Sequence, residues 1–219
     1  MDAQQWVEWL RGPGLQISSA VLVLGMVYRL LHLLLLGRKA NLAVARGSAW
    51  RGGLRTIWHR SIPPYGLTTR GYLILAAGYI FHLGFFIVLL LFSQHIALFR
   101  AILGFGWPAL PPVWITMAAV LAVAAMVALL VQRMIDPVKR LLSNFQDYLA
   151  WTLTFLPLLT GLALRQSGGA GYQNMLALHI ASVELLMIAV PFTKLAHMGS
   201  LFVARWYNGA IAGYKGVDA

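Results

Sequence analysis

The chain has 219 residues, of which 60% are hydrophobic and 11% charged, and its mean hydropathy is +0.74. One soluble core of this length does not bury that much apolar surface, so the composition points away from a soluble domain and toward an integral membrane protein. The formal net charge of +11 sits beside apolar segments, where it fits anionic lipid and membrane topology; nucleic acid is a poor explanation.

Taken in chain order, the opening MDAQQWVEWLRGPG has no basic stretch ahead of its first apolar run, so no cleavable signal is expected. Trp6 and Trp9 suit a short helix at the headgroup level. A membrane-crossing helix takes roughly 20 apolar residues. Five stretches qualify, at about 15–36, 71–99, 112–132, 148–164 and 175–197. Their connections are too short for a second domain, which predicts one all-α membrane domain over 1–219, a bundle of five transmembrane helices. Cys is absent, which excludes disulfides and any thiolate-held iron–sulfur cluster within the chain.

Basic residues concentrate in alternate loops. Arg38, Lys39, Arg46, Arg51, Arg55, Arg60 and Arg70 separate the first two spans; Arg133, Lys139 and Arg140 separate the third and fourth; Arg205 and Lys215 lie in the tail. The opposite loops carry only Arg100 and Arg165. Short Lys/Arg-rich loops stay cytoplasmic, which predicts an N-terminus outside and a C-terminus in the cytoplasm of a multi-pass protein of the inner membrane.

Two of the five spans carry pairs of histidines. His179 and His197 are 18 residues apart in HIASVELLMIAVPFTKLAH, and at about 100° per residue that spacing puts both rings on one face of a continuous helix. His82 and His95 lie in FHLGFFIVLLLFSQH. Neutral imidazole is a common axial ligand of haem iron, and helical bundles hold cofactors between facing helices. Because spans two and five are antiparallel, His82 shares the inner half of the membrane with His197, and His95 shares the outer half with His179. The arrangement reads as a membrane cytochrome b with two b-type haems. Thirteen residues turn a regular helix by about 220° beyond whole turns, so His82 and His95 share a face only if the second span is distorted between Gly84 and His95. Without an outer haem, His95 is an interfacial residue and His179 a hydrogen-bonded one.

The remaining polar residues divide between site and scaffold. Arg29, near the cytoplasmic end of the first span, is read as a contact to haem or its propionate; Lys194 either does the same or snorkels to the interface. Glu184 is turned about 140° from His179, off the haem face, and is either a proton carrier at a quinol site or, more simply, a hydrogen-bond partner between helices. His32 and His59 have no partner at matching depth. Gly84 admits either a porphyrin or a neighbouring helix, and Pro157 and Pro191 bend their helices.

HIASVELLMIAVPFTKLAHM resembles the last helix of the respiratory nitrate reductase gamma subunit family, the five-span dihaem cytochromes b that serve as membrane anchors. PFTKLAH matches that family's Pro-Phe-Ser/Thr-Arg/Lys-Leu-x-His signature. FHLG around His82, GMVYR ending at Arg29, and DPVKR followed by Asp147 and LLTGL resemble its other elements, so the similarity covers nearly the whole chain. The cytochrome b subunits of heterodisulfide-reductase-like and sulfite-reductase-linked membrane complexes fit equally well. The resemblance implies His82 with His197 as ligands of the inner haem and His179 at the outer one, although the family's second-helix ligand lies about one turn closer to His82 than His95 does. It also implies a quinone or quinol substrate and electron transfer to a cytoplasmic iron–sulfur subunit with its catalytic subunit. The other function class weighed is a haem-free channel, transporter or assembly and anchor subunit.

Overall fold

In the computed structural model, which describes residues 2–35, 42, 44–169 and 171–217, all regular structure is helical. Asp2 opens α1 (Ala3–Trp9) with a reciprocal cap: its carboxylate accepts the backbone N–H of Gln5 at 2.8 Å, while the Gln5 side chain accepts that of Asp2 at 2.9 Å. Pro13 has no N–H to give the helical ladder. The chain passes it in a wide π-turn, Leu10–Gly14, and continues as α2 (Leu15–Leu35). The tryptophan-bearing segment is thus the start of the first long helix and not a separate one. Leu36, Arg38 and Lys39 lie outside the described residues.

The order continues with α3 (Ala49–His59), α4 (Thr69–Leu91), α5 (Ser93–Leu103), α6 (Pro112–Ile135), α7 (Pro137–Leu142), α8 (Phe145–Gln166), α9 (Gly171–Ala189) and α10 (His197–Tyr214). Among the described residues, five helical segments are long and apolar enough to cross a membrane: Ala3–Leu35, Thr69–Leu91, Pro112–Ile135, Phe145–Gln166 and Gly171–Phe192. Many of their large apolar side chains are exposed, Leu24 and Leu73 among them. In water that surface is untenable; in lipid it is the expected finish of a multi-pass membrane protein.

Two expected spans differ from the structure. The second does not run to residue 99: α4 stops at Leu91, Phe92 takes an extended conformation (φ −80°, ψ 130°), and α5 begins at Ser93. Nor is the fifth one regular helix from His179 to His197. After Ala189 the chain tightens into a 3-10 turn at Val190–Phe192, Thr193 is extended, and a second turn at Lys194–Ala196 precedes α10. Pro191 lacks the N–H that would continue the ladder, and the Thr193 hydroxyl donates to the carbonyl of Ala189 at 2.9 Å and accepts the N–H of Leu195 at 3.3 Å. His179 and His197 therefore do not lie on one unbroken helix, and their spacing does not put them on a common face.

The chain divides into two compact units. The first comprises the chain up to Ile17 and Thr69–Leu186. Its core is Phe81 of α4, Ala122, Ala125 and Met126 of α6, and Leu158 of α8, flanked by Phe85, Trp151 and Phe155. The alanines of α6 admit α4 closely: a Cβ on Gly84 would stand 2.7 Å from the carbonyl of Ala118. Gly84 is accordingly a helix-packing glycine, the commoner role of small residues where lipid tails compete for apolar contact. The Trp151 indole donates to the carbonyl of Met126 at 2.9 Å, pinning α8 to α6.

The second unit comprises Ser18–Thr68 and the chain from Met187 onward. Its centre is the contact of α3 with α10. Gly209 and Gly213, one helical turn apart, face Gly52 and Thr56, and a Cβ on Gly213 would lie 2.8 Å from Cα of Gly52. The Trp206 indole lies over Gly53 and meets Trp50 edge-on at 5.8 Å. In the same unit α2 rests on the Pro191 bend, with Gly25 against its ring and Arg29 Nε donating to its carbonyl at 2.7 Å.

Candidate functional site

The break at Phe92 leaves the last carbonyls of α4 without helical donors, which is untenable at membrane depth unless other groups supply them. Three do. His95 Nδ1 reaches the Val88 oxygen at 2.9 Å, the Trp107 indole N–H donates to Leu90 at 2.6 Å, and the Leu110 N–H donates to Leu91 at 3.0 Å. Gly104, at φ 81°, ends α5 in the left-handed conformation that glycine adopts without strain and turns the chain back toward α4. The imidazole of His95 is thereby fixed by the end of the very helix it follows.

His179 of α9 faces it. The two ring centroids are 6.3 Å apart and the planes lie within 10° of parallel. Thr160 of α8 donates to the Leu156 carbonyl at 2.8 Å, which leaves its oxygen to accept from His179 Nδ1 at 3.0 Å. Ser182 Oγ lies 3.2 Å from the same hydroxyl and donates to the His179 carbonyl at 2.7 Å. Gly161 presents no side chain to the ring: a Cβ there would meet Cε1 at 3.2 Å. The distortion required of the second span exists, as a full break instead of a bulge, and with it His95 comes to His179.

His82 and His197 belong to different units. His82 is exposed on α4, with Nδ1 2.7 Å from the Gly78 carbonyl and its ring edge-on to Phe81. His197 is exposed at the first turn of α10, with Nδ1 2.8 Å from the Lys194 carbonyl. Arg29 is an exposed side chain whose Nε serves Pro191.

A property shared by these histidines was not readable beforehand. A carbonyl only accepts, and the Thr160 hydroxyl has already spent its proton on Leu156, so Nδ1 carries the hydrogen in all four rings. That tautomer puts the lone pair on Nε2, and metal-bound histidines are commonly oriented by such an Nδ1 partner. Thr160, Ser182, Gly161 and Trp107 are the supporting residues that sequence reasoning missed. Thr160 and Gly161 fall within LLTGL, the stretch that carried the resemblance in α8.

A haem is the cofactor expected from the sequence, and the His95–His179 pair, two near-parallel imidazoles with centroids 6.3 Å apart, is the candidate pair of ligands for it. Among the described residues no cluster of three or more His, Cys, Asp or Glu forms a metal site; a bis-histidine site needs two.

No family model matches the chain, and no solved structure matches it. A protein of Nitratidesulfovibrio vulgaris (strain Hildenborough) is 28% identical over 209 residues, covering 92% of this chain and 91% of its own length. It is described only as a protein, so the likeness extends along the chain without carrying a function.

Proposed function

We propose that the chain is the membrane cytochrome b subunit of a quinone-linked respiratory oxidoreductase, related to the nitrate reductase gamma subunit family. The observation that carries this reading is the His95–His179 pair, two near-parallel imidazoles held by Nδ1 hydrogen bonds from opposite sides of one site. His82 and His197, in different units and with the same tautomer, are each proposed as a further haem ligand. When bound, haem b supplies one-electron transfer, which no side chain of this protein performs.

The residues of the chain do the holding. Val88 and Thr160 orient the outer pair of rings, and Gly78 and Lys194 orient the other two. The break at Phe92 sets the reach of His95, and Gly161 leaves the α8 side of His179 open. With the N-terminus outside, as the basic loops imply, electrons pass between the quinone pool and an iron–sulfur subunit docked on the cytoplasmic face, with its catalytic subunit beyond. Arg29 stands at the bend preceding His197, where its remaining guanidinium N–H groups suit a propionate. The hydroxyl chain Ser182–Thr160–His179 also favours a second reading, a haem-free proton relay or transporter.

Pyridine haemochrome analysis of the purified chain separates the two. The cytochrome reading expects two b haems per polypeptide, and a colourless protein overturns it.

A further inference from the structure

Among the described residues, Glu184 is the one buried acidic side chain, 7% exposed, on the apolar helix α9. It lies 13 residues past the start of that helix, a rise of about 20 Å at 1.5 Å per residue, well inside a hydrocarbon layer of about 30 Å. Its Oε1 is buried and has no hydrogen-bond partner. The simpler expectation, a hydrogen bond between helices, is thus not what the structure holds.

What faces the carboxyl is the irregular turn around Pro13. A Cβ on Gly14 would stand 2.8 and 2.9 Å from the two carboxyl oxygens and 3.0 Å from the Trp9 ring, so the glycine makes the space in which the acid sits. The charged residues of that segment, Glu8 and Arg11, are both exposed, and neither compensates it. An ionised carboxylate with no compensating partner in the protein is costly at this depth, which favours the neutral acid, a group with a proton to give. π-turns interrupt the helical ladder and recur at functional sites, because a wider turn lets a small group approach the backbone. Here the interruption and the orphaned oxygen coincide.

We propose that Glu184 is a proton-exchange site, a neutral carboxylic acid that trades its proton with the O–H group of a small ligand at the Leu10–Gly14 turn. A proton passes between the ligand oxygen and the carboxyl, one O–H bond breaking as the other forms, and no electron moves in that step. The O–H group belongs either to a quinol or to water; the first source rests on the cytochrome reading above, and the exchange itself does not.

Infrared difference spectra of the purified full chain, wild type minus Glu184→Gln, test it. The expected result is a protonated-carboxyl band, absent from the variant, that moves to lower frequency within minutes in D2O. A missing band means an ionised group and a band unmoved by D2O means a sealed one; either overturns the proposal. A short-chain quinone analogue that perturbs the band identifies a quinol hydroxyl as the source, and an unperturbed band identifies water. Should Glu184→Gln fail to fold, Gly14→Ala is the second probe: its methyl intrudes on the carboxyl and shifts the same band, and an unshifted band overturns the assignment. Haem content is scored separately, so exchange without haem sinks only the cytochrome reading, and haem without exchange sinks only this one.

Discussion

His95 Nδ1 lies 2.9 Å from the carbonyl oxygen of Val88, so the first turn of α5 closes the last turn of α4. One hydrogen bond thereby joins the integrity of the broken span to the aim of a proposed ligand. His95→Ala is expected to remove one of two b haems and also to strand the Val88 carbonyl, at a cost of about 1–3 kcal/mol. His179→Ala removes the same haem and leaves α4 capped. Haemochrome counts equal to wild type in both variants would refute the outer site, and equal melting temperatures for the two would refute the capping role.

Thr160→Val keeps the shape of the side chain and deletes the hydroxyl that accepts from His179. Loss of a partner that orients a metal-bound histidine commonly weakens metal binding about 10–100-fold. Titration of the apo chain with haem should show that weakening at one site, with the helical content unchanged.

Trp107→Phe tests the seal on the broken span from the other side. The indole donates to the Leu90 carbonyl at 2.6 Å, and phenylalanine cannot. At membrane depth no water replaces the lost donor, so thermal unfolding in detergent should begin earlier. An unchanged melting temperature would mean that the seal contributes nothing.

Gly213→Ala places a methyl 2.8 Å from Cα of Gly52 and 2.7 Å from the carbonyl of Ser48, both backbone atoms that cannot swing away. Overpacking of this kind costs about 1–3 kcal/mol. Gly168→Ala, with open space around it, is the matched control and should melt like wild type.

Asp136 gives the chain an acid-sensitive corner between α6 and α7. Its carboxylate accepts the N–H groups of Lys139 and Val138 and pairs with Arg70 at 3.4 Å. The Lys139 N–H first, and then the Arg70 charge, hold this carboxyl below its ordinary range. A carboxyl depressed by folding stabilises fully above its unfolded value, and that contribution is lost as pH falls through the folded one. Melting temperature followed downward from pH 6 should therefore fall less steeply in Asp136→Asn than in wild type; parallel curves would refute the corner's role.

Much of the fold was legible because the bilayer enforces a simple rule. Apolar stretches of sufficient length become helices, and all five were found. Their interruptions were harder to read. Pro191 announced the bend before His197, but the periodicity argument ran through it, since counting turns assumes that none is missing. Phe92 carries no breaking chemistry of its own. The break there depends on donors far along the chain, Trp107 and Leu110, which a local reading does not connect to Leu90 and Leu91. The need for some distortion before His95 followed from helix rotation alone, while its form did not. The glycine contact of α3 with α10 was missed for a related reason: the apolar pattern identifies what crosses the membrane and says little about two polar-flanked helices outside the spans.

That glycine contact bears on how the protein is made. Gly52 leaves the ribosome long before Gly209 and Gly213, and every span from the second to the fifth must be threaded into the bilayer in the interval. Throughout synthesis α3 waits with its small-residue face bare. The contact at the centre of the second unit closes only when α10 is released, so a ribosome that stops short of it leaves a chain whose first unit has all its residues and whose α3 has no partner.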